Sequence, residues 1–526
     1  MSEHKILKPG SNCWHIGEVR QTGLLVDGRD YYRAFYHAAR AARRYILISG
    51  WQFDSNVVLL RGEDAKAAGD EAPLLSFLNN LCEQNSALRI FILAWDFSMA
   101  YSLDREWFQE WYINWTTNGR LMFYFDCCDS MDASHHQKFV VIDGKIAFVG
   151  GLDLCSARWD ERDHRVNHPL RVNADRSSYK PFHDLQSSHV GPIALKLAEL
   201  FKQRWKIVAG EELDLPSEPS EPAAHAELTI PIAASTVAIS RTQPTTSCGS
   251  EHGNEPVREI RQLFLDAISG AEHLIYIENQ YFSSEALFKA LVDRMADRNR
   301  SQLEIVLIIA KDAEAVLEQL SIGIAQERVI RGLKEVARQN GHCLGIYHPV
   351  SVSPEGEEPT YIHSKLLLVD DRVLSVGSAN MNNRSMGYDT ELNVAWEGSA
   401  LETELVDSLR EVRVNLLAEH TGLDGAARND LSRVKGLVQY LNGLADSGSC
   451  RLRHHPVRTV SESYQWITSV LPDGLPFDAE APEDPESIYE AISTKQDSLF
   501  SQGLTSLRSW LQNLGQIASS PAKRNE

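Results

Sequence analysis

No run of 18 apolar residues, no C-x-x-C pair and no H-E-x-x-H segment occurs in this chain of 526 residues. The first absence argues against a transmembrane helix. The opening MSEHKILKPG lacks the apolar stretch of a signal peptide. The expected location is therefore cytoplasmic or peripheral to a membrane, with signal-less export as the other route. Eight scattered cysteines support neither a zinc knuckle nor a disulfide framework. Basic residues are also scarce, 52 Lys and Arg against 72 Asp and Glu, for a net charge of −20. Such a chain is repelled overall by nucleic acid and by anionic bilayers, so contact with either requires a local basic patch. No nucleic-acid partner is expected, and the chain is read as a monomer. With 43 % hydrophobic and 24 % charged residues the composition is that of a globular protein, long enough for two to four packed units.

A long-period repeat organises those units. HQKFVVIDGKIAFVGGLD begins at His136, and HSKLLLVDDRVLSVGSAN begins 227 residues later at His363. YILISGWQF, with Ile46 to Phe53, answers IYIENQYF, Ile275 to Phe282, at an offset of 229. LRIFILAWD and LEIVLIIAKD end at Asp96 and Asp312. Each is a short apolar run rich in β-branched residues, the pattern of a strand buried on both faces. Helical stretches alternate with them, so the expected fold is α/β: two duplicated lobes related by a pseudo-two-fold, sharing one active site. The expected boundaries are a first lobe over 1–210, a linker and loop over 211–257, a second lobe over 258–420, and a mostly helical extension over 421–526. In that extension LTSLRSWLQNLGQIA places Leu504, Leu507, Leu511, Leu514 and Ile517 on one helical stripe.

The repeated motif is H-x-K-x4-D followed by a small-residue pair. His136 and Lys138 share one face of a strand, as do His363 and Lys365. Asp143 and Asp370 fall at the strand ends beside Gly144 and Asp371, in the place of a structural brace. Gly150-Gly151 and Gly377-Ser378 close the motifs where backbone must approach something closely. An accidental H-x-K-x4-D is expected roughly 0.05 times in such a chain; two, with matching tails, are not accident.

On these residues the chain resembles the phospholipase D superfamily, whose mark is this motif present twice. IYIENQYF, GGLDLCSARWD followed by His164, PFHDLQ at 181–186 and GSANMNNRSMGYDTELN are similar to segments of its eukaryotic-type members, with Phe182 where tryptophan is usual. The resemblance spans roughly residues 40 to 420. It implies a phospholipase D that hydrolyses the distal phosphodiester of glycerophospholipids at a membrane surface through a covalent phosphohistidine, without a cofactor. A cardiolipin-synthase-like phosphatidyltransferase, or a phosphodiesterase or nuclease of the same superfamily, is the alternative. One imidazole must be neutral to attack phosphorus and the other protonated to release the leaving oxygen, both accessible to histidine near neutrality. The resemblance makes His136 the nucleophile and His363 the acid. Lys138, Lys365 and Asn380 then serve the phosphate oxygens, and Asp153 stands in the first repeat where Asn380 stands in the second. The resemblance also implies an acid downstream of each motif to orient its histidine: Asp184 for the first, Glu391, 28 residues after His363, for the second. The arginines of the loop from Arg158 to Lys180 suit either phosphate binding or a solvated loop rich in acids. Adjacent histidines such as His135-His136 and His454-His455 point to opposite strand faces, so no metal site is expected.

Overall fold

The structure, a computed structural model, describes residues 5–95, 109–126, 133–216, 227–244, 255–312, 316–354 and 356–456. Two sheets carry the fold, and their strand orders match. In the first, strands run in the order Ile230–Ile232, Gln21–Val26, Leu185–Val190, Ile146–Gly150, Phe139–Ile142, Tyr45–Gly50, Arg89–Trp95 and Leu121–Asp126. In the second the order is His15–Glu18, Thr236–Gln243, Glu391–Glu397, Val373–Gly377, Lys365–Val369, Leu274–Asn279, Glu304–Ile309, Cys343–Ser353 and Gly356–Pro359. The three strands Tyr45–Gly50, Arg89–Trp95 and Leu121–Asp126 are mutually parallel, as are their counterparts from Leu274, Glu304 and Cys343.

The edges depart from the expected boundaries. His15–Glu18 pairs with Thr236–Gln243 in the second sheet, whereas Ile230–Ile232 pairs with Gln21–Val26 in the first. Each lobe thus lends the other an edge strand. The stretch 211–257, expected as linker and loop, supplies a full strand between His15–Glu18 and Glu391–Glu397. The sequence hid it because TVAISRTQ has only three consecutive apolar residues, Val237 to Ile239, followed by four polar ones, unlike the long apolar runs of the central strands. Beyond 420, short helices Ala427–Ser432 and Leu437–Ser447 are followed by strand Leu452–His454, which joins the second sheet. The stripe from Leu504 to Ile517 lies outside the described residues.

Strand alternation distributes the apolar side chains among three cores. Val140 and Ile142 face the helices Asp27–Arg40 and Leu74–Gln84 with Tyr31, Phe35 and Phe77. Leu367 and Val369 face Glu259–Gly270 and Glu285–Ala296 with Ile260, Phe264 and Leu291. The opposite faces, with Phe139 and Val141 from one sheet and Leu366 and Leu368 from the other, merge into one core between the lobes. Helices Ile193–Ala209 and Thr403–Thr421 contribute to it. A core shared in this way fixes the two sheets against each other, and with them the two motifs.

The motif aspartates close the turns that follow the motif strands. Both have left-handed backbone, φ 54° at Asp143 and 55° at Asp370. The Asp143 carboxylate accepts from the backbone N–H of Arg43, Arg44 and Tyr45, and Asp370 from those of Glu272, His273 and Leu274. Each pins the entry of the strand neighbouring its motif.

Candidate active site

At one end of the two sheets the motif segments approach across the lobe boundary. Tyr361–Ile362 pairs in parallel with Phe182–His183, and the His363 N–H donates to the His183 carbonyl at 2.8 Å. The pseudo-symmetric contact is the His136 N–H donating to the Thr390 carbonyl at 3.0 Å. These contacts decide the orienting pairs, because the residue after each acceptor is an acid. His363 Nδ1 lies 2.6 Å from Asp184 Oδ2, and His136 Nδ1 lies 2.9 Å from Glu391 Oε2. The pairing is therefore exchanged relative to the sequence reading: each histidine is held by the acid of the other lobe. Sequence distance misled here, since the strand bearing each acid ends against the opposite motif and not its own.

The small-residue pairs make room for those acids. A side chain on Gly151 would place its Cβ 2.2 Å from Asp184 Oδ1. In the second repeat the equivalent Ser378 uses its hydroxyl instead, donating to Glu391 Oε2 at 2.5 Å while Ser385 donates to Oε1 at 2.6 Å. Asp389 is spoken for elsewhere, accepting from the Ser134 N–H and pairing with Arg384, so it secures the segment leading into His136.

Burial sets the protonation of both pairs. It pushes the Glu391 and Asp184 carboxyls up and the His136 and His363 imidazoles down, with the motif lysines lowering both imidazoles further and Arg158 adding to the effect on His363. Desolvation thus outweighs the rise that a carboxylate alone would give the histidine. Both directions favour the uncharged forms, a neutral imidazole beside each buried acid. Among the described residues neither Nε2 has a hydrogen-bond partner. Lys138 acts electrostatically on His363, and Lys365 on His136, so the four motif side chains occupy one site.

The lysines are not equivalent. Lys138 Nζ sits 3.0 Å from Asp153 Oδ2 and 5.7 Å from the centre of the Trp51 ring. Among the described residues Lys365 has no carboxylate partner at that distance. Its ammonium donates to Gln280 Oε1 at 3.0 Å and to the His363 carbonyl, and burial pushes its pKa down to about 7. Asn380, placed like Asp153, is buried, and among the described residues its Oδ1 has no hydrogen-bond partner. Aromatic rings flank both imidazoles: Trp51 edge-on to His136 at 6.3 Å, and Phe182 tilted on His363 at 5.3 Å. Most arginines of the 158–180 loop are committed to acids: Arg162 to Glu419, Arg165 to Asp163, and buried Arg171 to Asp160. Arg158 lies over the Phe182 ring at 4.9 Å and bears on His363 and Lys365.

One cluster escaped the sequence reading. Asp27, His164, His183 and Glu419 converge in a fully buried group, which continues through His183 to Glu278 and His420. The ligand-like atoms come from five distant segments, and no local spacing announces them.

A family model described as phospholipase D matches residues 38–322, and one described as cardiolipin synthase, PLD-like domain, matches 264–413. The chain is 25 % identical over 501 residues to phospholipase D1 of Saccharomyces cerevisiae, covering 76 % of this chain and 29 % of that protein. It is 23 % identical to phospholipase D alpha 2 of Oryza sativa, covering 78 % and 66 %. The chain thus spans from under a third to about two thirds of the length of these relatives. Its fold is similar to the crystal structure of phosphatidylserine synthase from Haemophilus influenzae, with a TM-score of 0.52 at 13 % identity, over 82 % of this chain and 95 % of that one. Since the phospholipase D model covers more than half of the residues and both motifs share one site, the chain belongs to the phospholipase D family.

Proposed function

We propose that this protein is a phospholipase D: it cleaves the distal phosphodiester of glycerophospholipids at a membrane surface to give phosphatidate and the free headgroup alcohol. The observation that carries this reading is the crossed pair of buried His–acid contacts, His136–Glu391 and His363–Asp184, beside two motif lysines. His136 Nε2 attacks phosphorus, and the bond to the headgroup oxygen breaks. That oxygen takes a proton from His363 Nε2, whose protonated form the single negative charge of the arriving phosphodiester favours. The resulting phosphohistidine is attacked by water, whose proton returns to His363, and phosphatidate leaves with His136 restored. Lys138, Lys365 and Asn380 serve the non-bridging oxygens as charge develops there.

A second reading is favoured by the match of 264–413 to a cardiolipin-synthase-type domain. In it a lipid alcohol replaces water, and the product is a new phosphodiester. The deciding experiment incubates the full chain with vesicles of phosphatidylcholine or phosphatidylethanolamine, with and without phosphatidylglycerol, and with plasmid in parallel. Headgroup release with phosphatidate as product supports hydrolysis. A lipid phosphodiester formed only when phosphatidylglycerol is present supports the transferase. Nicking of plasmid without action on any vesicle overturns both.

A further inference from the structure

We propose that Asp27, His164, His183 and Glu419 form a buried site for one divalent transition-metal ion of the zinc class, placed behind the catalytic layer. All four side chains are fully buried, and their nearest donor atoms lie within 4.8 Å of one another. His183 Nδ1 is 2.7 Å from Glu419 Oε1 and 3.0 Å from Asp27 Oδ1. His164 Nε2 is 3.2 Å from Glu419 Oε1 and 3.7 Å from Asp27 Oδ2. Separations of about 3 to 3.5 Å are those of neighbouring ligands around an ion bonded at about 2.0–2.2 Å.

Two further observations point into the same space. His183 Nδ1 and Asp27 Oδ2 are buried without a hydrogen-bond partner, although carboxylate oxygens stand beside the first. The second observation concerns the opposite ring nitrogens. His164 Nδ1 is 3.1 Å from Asp160 Oδ2, and His183 Nε2 is 3.0 Å from Glu278 Oε2. A carboxylate that accepts from one ring nitrogen fixes the tautomer and leaves the other nitrogen as a lone pair, the outer arrangement of metal-bound histidines. Two carboxylates and two neutral imidazoles offset the charge of a divalent ion, and two nitrogens with two oxygens suit zinc better than magnesium or calcium.

The position gives such an ion a structural task. His183 immediately precedes Asp184, and the Asp184 N–H donates to Asp27 Oδ1. Glu419 belongs to the helix Thr403–Thr421 at the end of the second lobe. An ion here ties the segment bearing one orienting acid to the other lobe, without touching the reacting phosphate. This inference concerns binding alone and holds whatever lipid is cleaved.

The test is metal analysis of the full chain, purified from zinc-supplemented medium and passed through a chelator before gel filtration. About one zinc per chain is expected, with an X-ray absorption edge fitted by mixed nitrogen and oxygen ligands. Glu419→Gln should lower that content at least about tenfold. It should also abolish the lowering of the wild-type melting temperature that a strong chelator causes during heating. Wild-type protein with less than about 0.1 metal per chain after zinc exposure overturns the proposal. So does a Glu419→Gln variant that retains its ion. If that variant does not fold, the wild-type content and edge decide alone. A metal-free wild type whose two imidazoles are cationic by nitrogen NMR would assign the cluster to a proton-filled ion-pair network instead.

Discussion

At the scale of single residues, the exchanged orientation gives the two acids different kinetic signatures. Glu391 faces the proposed nucleophile and Asp184 the proposed acid. Glu391→Gln and Asp184→Asn should each lower turnover on phosphatidylcholine by about two to four orders of magnitude, as for orienting acids elsewhere. A phosphatidyl ester of p-nitrophenol, whose leaving oxygen needs no proton, should restore the first-turnover burst of p-nitrophenolate in Asp184→Asn and His363→Ala while leaving no burst in Glu391→Gln and His136→Ala. Restoration of the opposite pair would reverse the roles of the histidines. Lys365 makes a prediction about pH. Its pKa near 7 means that the ammonium is present below that value and lost above it. The alkaline fall of kcat/KM should therefore begin near pH 7, and Lys365→Arg, charged throughout, should shift that limb upward even if its rate is lower. An unmoved limb would assign the fall to another group. The unfolded chain holds the same proton up to about pH 10.4. The cost of burying this charge is thus complete below about 7 and vanishes as pH rises toward 10.4. Lys365→Met should consequently raise the melting temperature at pH 6 while abolishing turnover; a lower melting temperature would show that the Gln280 contact outweighs the charge.

At the scale of elements, the small residues and the turn aspartates separate activity from stability. Gly151→Ala forces a Cβ to within 2.2 Å of Asp184 Oδ1, so either the strand end or the acid must shift. A turnover loss comparable to Asp184→Asn is expected, with a melting temperature that changes little. Wild-type turnover would mean that the acid has freedom the packing denies. Asp143→Ala removes an acceptor from three backbone N–H groups at a strand entry, and should cost about 3 kcal/mol of stability in denaturant titration. Activity per folded molecule should survive it. These features were readable in the sequence because each is local: alternation put His136 with Lys138, and the turn position set Asp143 apart. The strand Thr236–Gln243 was missed because its short apolar run, Val237 to Ile239, is followed by four polar residues and looks like a loop. The partners of Asp184 and Glu391 were not legible either. They depend on which strand end meets which motif, a property of the packed lobes that no spacing within one lobe contains.

At the scale of the whole molecule, the two lobes exchange edge strands, share a core and orient each other's histidines. Neither lobe holds a complete His–acid pair, so both are needed to form the proposed site. The duplicated motifs and the α/β alternation were visible in the sequence because a repeat conserves order. The buried cluster behind Asp184 was not, because Asp27, His164 and Glu419 are brought together only by folding. The most direct test of the account is product partitioning: headgroup release and lipid products are measured together from phosphatidylcholine vesicles while a primary alcohol is increased. If a phosphohistidine is the common intermediate and its formation limits the rate, headgroup release stays constant while phosphatidylalcohol replaces phosphatidate in proportion to the alcohol. Phosphatidate as the sole product at every alcohol concentration, with headgroup release unchanged, would contradict a covalent intermediate open to acceptors.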